Sequence, residues 1–238
     1  TGRAIYEHYS FGTADGLLQL LEDGIVNHLT EKQKEYVTRA RRALRDALKL
    51  IQDLLDLARA EAGEITVERR PVDVRLIARE AADEYRSRAE AKGLTMTIEL
   101  PEELPPVQSD AARLRQVLGN LISNAVKYTE KGGVTIRVAL REKDTPRPGR
   151  WVAVEVSDTG PGIPEEELHR LFQEFQRLER TAETTGAGIG LAISQRVAHA
   201  LGGEITVETA PGKGSTFTLW LPLDAAQSEP ERPGLTRT

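Results

Sequence analysis

From Leu29 to Ala62 the chain contains neither proline nor glycine, and apolar residues recur at Val37, Ala40, Leu44, Ala47, Ile51, Leu54 and Ala58. Steps that alternate three and four place these side chains on one helical face, and Leu48, Leu55 and Leu57 widen the stripe beyond a two-stranded seam. Thr30 followed by Gln33 is a capping-box signature, and Gly63 is a stop. Upstream, Leu17, Leu18, Leu20 and Leu21 form a shorter apolar stripe that ends at Asp23-Gly24. The pattern predicts two antiparallel helices joined by residues 24–29. Such a hairpin has too little core to stand alone. Dimerisation into a four-helix bundle is one solution, and packing on the rest of its own chain is the other.

After Gly63 short alternating runs replace the long helical period. Strands are predicted at 65–68, 94–100, 133–140, 151–156, 204–208 and 215–221, and helices at 74–91, 110–128 and 189–201. Arg141 to Arg150 reads as a solvated loop. The overall class is α+β: a helical hairpin (1–63), then an α/β sandwich (64–222) whose mixed sheet is covered by helices on one face. The composition of residues 223–238 predicts a disordered tail.

Composition narrows the chemistry. The chain has no cysteine, which excludes disulfides, thiolate metal sites and thiol nucleophiles, and its four histidines (His8, His28, His169, His199) are too scattered to spell a zinc site. Thirty-two basic against 37 acidic residues leave a net charge of −5, with no basic stretch for nucleic acid. No apolar run is long enough for a membrane span and no signal peptide is visible. A soluble, cytoplasmic chain is therefore expected. It opens Thr-Gly-Arg-Ala without Met, which suggests a fragment or processed chain whose membrane tether, if any, lies outside it.

Four segments of the second half carry unusual chemistry. Asn120, Asn124 and Lys127 share one helical face, where a carboxamide oxygen can complete a magnesium shell and an ammonium can neutralise a phosphate; a solvated face accounts for them equally well. Asp158-Thr-Gly160-Pro-Gly162 follows a strand. There a carboxylate can accept a hydrogen bond from an exocyclic amine, and glycine lets backbone approach a planar base; a plain Asp-Gly turn is the alternative. Thr185-Gly186-Ala-Gly188-Ile-Gly190-Leu191 opens a helix and can present amide N–H groups to an anion, although its spacing is neither that of a Walker loop nor that of a dinucleotide fingerprint. Gly212-Lys-Gly214-Ser-Thr216-Phe217 leads into the last strand.

In this order the four segments resemble the ATP-binding domain of sensor histidine kinases, within the wider class that includes DNA gyrase. They correspond to its N box (120–129), first glycine box (158–162), second glycine box (186–191) and third (212–217), with Leu171-Phe172-Gln-Glu-Phe175 as the phenylalanine box. The resemblance implies ATP and Mg2+ as cofactors. Asp158 would bind the adenine amine, Asn124 with Asn120 the magnesium, and Lys127 and Tyr128 the nucleotide. Gly160, Gly162, Gly186, Gly188, Gly190, Leu191 and Thr216 would line it, and residues 172–187, Arg177 among them, would form a lid. The hydrolysing members carry a general-base glutamate where this chain has Asn120, and an amide cannot take a proton from water. The resemblance thus points to phosphoryl transfer rather than hydrolysis.

It further implies a homodimer through residues 1–63, a response regulator receiver domain as partner and a sensor domain upstream. The family's phosphoacceptor histidine and its adjacent acid fall, counting without gaps, on Ile5 and Tyr6. His8 lies three residues later beside Glu7 and is the candidate phosphoacceptor. A kinase and a nucleotide-binding regulator that dimerises without autophosphorylation both remain open at this point.

Overall fold

The computed structural model describes residues 14–18, 21, 29–62, 65–174, 176 and 188–223. The chain divides into two compact units, Thr1–Arg59 and Ala60–Thr238. The expected hairpin turn (24–28 of it) and the tail beyond residue 223 lie outside the described residues.

In the first unit residues 14–18 are helical and the long helix α1 spans Glu31–Glu61. Its start is a reciprocal cap: the Gln33 N–H donates to Thr30 Oγ1 at 3.3 Å while the Thr30 N–H donates to Gln33 Oε1 at 2.9 Å. Asp15 fastens the two helical segments together, accepting from Arg41 Nε at 3.1 Å and from Arg45 Nε and Nη2 at 3.1 and 3.2 Å. The predicted stripe divides into two. Val37, Leu44 and Leu48 are half-buried, whereas Ile51, Leu54 and Leu55 are 40%, 41% and 42% exposed, in line with exposed Ala47 and Ala58. Among the described residues, the second half of α1 thus exposes an apolar stripe.

The second unit holds a five-stranded mixed sheet and a two-stranded ribbon. In chain order its elements are β1 (Arg70–Val72), α2 (Val74–Ala91), β2 (Thr95–Glu99), β3 (Val107–Ser109), α3 (Ala111–Tyr128), β4 (Gly133–Arg141), β5 (Trp151–Asp158), a single turn α4 (Glu165–Leu168), α5 (Gly190–Ala200), β6 (Glu204–Ala210) and β7 (Gly214–Pro222). The sheet order is β2-β4-β5-β7-β6, parallel between β2 and β4 and antiparallel elsewhere; β1 pairs with β3. Helices α2, α3 and α5 lie side by side on the sheet. Leu114, Leu118, Leu121 and Ile122 of α3 are at most 1% exposed and form the centre of the core with Ile136, Val154 and Leu219.

One expectation fails. Residues 65–68 form no strand; pairing begins at Arg70. The alternation there is real, because Ile65 and Val67 are half-buried and Thr66 and Glu68 exposed. It records one-sided packing of an extended linker, and the Glu68 N–H is spent on Asp110 Oδ2 at 3.1 Å instead of on a neighbouring strand. The linker has a second fastening: the Arg69 guanidinium donates to the carbonyls of Ala200 and Leu201, at 3.3 and 3.4 Å, at the negative end of α5.

Asp110 is the N-cap of α3, where its Oδ1 accepts from the N–H groups of Ala112 and Arg113 at 2.9 and 3.1 Å. Partial burial raises its pKa, but the N–H groups of Arg113, Glu68 and Ala112 and the charge of Arg113 outweigh that and hold the carboxyl below its ordinary value. Asp110→Ala should cost about 0.5–2 kcal/mol in urea denaturation at neutral pH, the usual range for losing an N-cap. A folded carboxyl that titrates below 3.8 contributes fully above that value and ceases to contribute as pH falls through the folded pKa. The two proteins should therefore converge in stability in acid, and an equal difference at every pH would refute the capping role.

Candidate functional site

Helix α3 supplies the first group of residues. Asn124, Lys127 and Tyr128 are half-buried along its last turns. Lys127 Nζ donates to Tyr128 OH at 3.0 Å and sits 4.7 Å from the centre of its ring. The carbonyl end of the helix is held by a cation from elsewhere: Lys92 Nζ donates to the carbonyls of Val126 (2.8 Å), Lys127 (2.8 Å) and Thr129 (3.3 Å). An ammonium at a helix C-terminus offsets the dipole and satisfies carbonyls that have no partner within the helix. The sequence gives no sign of this role for Lys92, because a lysine closing α2 carries no hint that it will reach the end of α3.

Asp158 is the last residue of β5, flanked by Val134 of β4 and Ser215 of β7. Burial pushes its pKa up, partly offset by the Gly160 N–H, which donates to Oδ1 at 2.8 Å, and by the Ser215 N–H. The following turn folds against α3: a Cβ on Gly160 would stand 2.7 Å from Asp158 Oδ1 and 3.2 Å from the Tyr128 carbonyl oxygen. The structure thereby brings Asp158 to the same end of α3 that carries Tyr128.

The first and third glycine segments interlock. Gly162 has φ +66°, and a Cβ there would fall 2.0 Å from the Ala210 carbonyl oxygen. The Gly212 N–H donates to the Pro161 carbonyl at 2.7 Å, and the Ile163 N–H to Thr209 Oγ1 at 3.0 Å. Thr216 lies on the far face of the sheet from Asp158, its hydroxyl 2.9 Å from that of its cross-strand partner Ser157. The residue that shares Asp158's face is Ser215, which is 7% exposed and which nothing in the sequence distinguishes from its neighbour Thr216.

In the second glycine segment Gly188 has φ +72°, Ile189 is buried and Gly190 begins α5, with Leu191 half-buried beside it. Asn120 is turned toward this helix start: its Nδ2 donates to Ser194 Oγ at 2.8 Å. Leu171 is buried and Phe172 half-buried, and Glu174 is ion-paired with Arg196 of α5. His8, Phe175, Arg177, Gly186 and all of 177–187 within the expected lid lie outside the described residues. His169 and His199 are exposed.

These residues fit a magnesium nucleotide on chemical grounds. Gly160, without a Cβ, lets the turn close against the Asp158 carboxylate, which is partly buried. Among the described residues no cluster of three or more His, Asp or Glu could hold a metal by itself. Among the described residues no helix is long and apolar enough to cross a membrane.

Two family models match the chain: the "Histidine kinase-, DNA gyrase B-, and HSP90-like ATPase" model over residues 109–225, and the "His Kinase A (phospho-acceptor) domain" model over residues 12–63. The circadian input-output histidine kinase CikA of Synechococcus elongatus is 37% identical over 198 residues, 82% of this chain and 26% of its own length. The aerobic respiration control sensor protein ArcB of Escherichia coli is 36% identical over 218 residues, 90% of this chain and 27% of its own. The adaptive-response sensory kinase SasA of a Synechococcus species is 36% identical over 206 residues, 87% of this chain and 53% of its own. The chain thus spans only a quarter to a half of these relatives. Among solved structures, full-length ShkA in complex with AMPPNP matches with a TM-score of 0.71 at 33% identity, covering 92% of this chain and 45% of that one. The Acinetobacter baumannii histidine kinase AdeS shares the fold, with a TM-score of 0.63 at 24% identity over 92% of this chain and 98% of that one. A helical hairpin followed by a mixed-sheet α/β domain, each matched by its own family model, makes this chain a member of the sensor histidine kinase family.

Proposed function

We propose that the chain binds ATP with Mg2+ between α3, the Asp158 turn and the start of α5, phosphorylates a histidine, and passes the phosphoryl group to a response regulator receiver domain. The observation that carries this reading is the placement of Asp158, at a strand end against the Tyr128 end of α3, in a setting that desolvates its carboxylate. A carboxylate so placed discriminates strongly, because a ligand without a matching donor leaves a buried acceptor unpaired. In this reading Asp158 accepts from the adenine amine with Ser215 beside it, and Asn124 supplies an oxygen to the metal. Lys127 offsets phosphate charge, and the backbone N–H groups at the start of α5 face the phosphates. The solved complex of ShkA with an ATP analogue supports the nucleotide class. Magnesium, when bound, supplies charge screening of the phosphates. The phosphoryl group moves to an imidazole nitrogen with ADP as leaving group, and His8 is the candidate acceptor, with Glu7 the acid adjacent to it.

Residues 1–63 serve as the dimerising phosphotransfer hairpin, 64–222 as the catalytic domain and 223–238 as a tail. The exposed stripe of Ile51, Leu54 and Leu55 is the surface through which two hairpins form a four-helix bundle. A sensor domain upstream and a cytoplasmic location complete the proposal.

Asp158→Asn should weaken binding of a non-hydrolysable ATP analogue in calorimetry by about two orders of magnitude or more. Stability at neutral pH should not fall, because the fold disfavours the charged carboxylate; a carboxyl with a raised folded pKa stabilises more as pH drops through that pKa. Unchanged affinity would remove Asp158 from the site. Incubation with γ-labelled ATP should give an acid-labile label on the wild type that His8→Ala loses. A label that survives in His8→Ala places the acceptor on another histidine. An unlabelled wild type that still binds the analogue favours a dimeric nucleotide-binding regulator.

A further inference from the structure

The carboxamide of Asn120 stands between two helices. Its Nδ2 donates to Ser194 Oγ, 2.8 Å away on the second turn of α5, and Ser194 is only 3% exposed, so this contact satisfies a buried hydroxyl. Its other side presses on the first turn of the same helix: a Cβ on Gly190 would lie 2.6 Å from Asn120 Oδ1 and 3.1 Å from both Cγ and Nδ2. The missing side chain at Gly190 leaves room for the amide against the start of α5 while it reaches Ser194. The first turn of α5 follows Gly188, whose φ is +72°, and Ile189, which is 1% exposed and anchors the segment in the core.

From this geometry we infer that Asn120 is a positioning residue, a latch that fixes the start of α5 on α3 through Ser194 and the bare face of Gly190, and that it takes no direct part in holding the metal. The inference rests on the nucleotide-binding reading above and assigns to one of its expected metal ligands a different task. The first-turn N–H groups of α5 are useful to an anion only if their direction is set before it arrives. A hydrogen bond from a neighbouring helix to a buried hydroxyl sets that direction without touching the ligand. Asn124, one turn further along α3, has no such partner in the described structure and is left for the ion.

The test is calorimetric titration of the full chain with a non-hydrolysable ATP analogue at a series of Mg2+ concentrations. Asn120→Ala and Ser194→Ala should each weaken nucleotide binding about tenfold. The double variant should be no weaker than either single one, because both remove the same contact. Gly190→Ala should have a similar effect in the wild-type background, where the new methyl group displaces the amide, and add little in the Asn120→Ala background, where nothing is left to displace. In all of these the Mg2+ concentration at half-effect should match the wild type, whereas Asn124→Ala should raise it. A raised Mg2+ requirement in Asn120→Ala, or undiminished affinity in Ser194→Ala, overturns the latch and leaves the nucleotide-binding reading intact. A wild type that binds no nucleotide overturns both.

Discussion

The nucleotide domain depends on how closely β7 approaches the end of β5. A Cβ on Gly214 would lie 1.9 Å from the Asp158 carbonyl oxygen, and one on Gly162 just 2.0 Å from that of Ala210. No side chain fits at either place, and both residues have positive φ, +83° and +66°, which any other L-residue would adopt only with strain. That contact ends the central strands in register and turns the Asp158–Gly160 segment back toward α3. Without it, the carboxylate would have neither the shelter that raises its pKa nor its place beside Tyr128.

Around this junction, charged side chains settle the helix ends. Asp73 accepts the Arg75 N–H at 3.0 Å to start α2, Asp110 starts α3, Lys92 closes α3 and Arg69 closes α5. Acids at N-termini and cations at C-termini follow the sign of the helix dipole. Here the closing cations come from distant parts of the chain, so each also acts as a tertiary tie. The helices that carry the candidate site are consequently held by their ends as well as by their apolar faces, which leaves their polar faces free for chemistry.

Much of this was legible in the chain. The apolar period places α2 at its observed bounds, Thr30 reads as a cap because a cap depends on residues a few positions away, and the glycine segments stand out because backbone approach restricts composition. What could not be read depends on contacts across the fold. Three-residue strands such as β1 and β3 are too short for alternation to show. Ile65 to Glu68 alternates as a strand does, yet it packs without a partner. Thr216 and Ser215 are neighbours in sequence, and only the sheet register reveals which of them shares a face with Asp158. Ser194 gives no signal by itself; its importance lies in the amide that reaches it from another helix.

The linker of residues 65–69 is made fast at two points, the Glu68 N–H to Asp110 and the Arg69 guanidinium to the end of α5. Extra length between hairpin and nucleotide domain should accordingly be tolerated only on the hairpin side of Glu68. A residue inserted ahead of it leaves both contacts as they are, whereas one inserted between Arg69 and α2 should strain both. A chimaera that carries this nucleotide domain on a foreign hairpin should therefore be spliced upstream of Ile65, so that the domain travels with its own anchors.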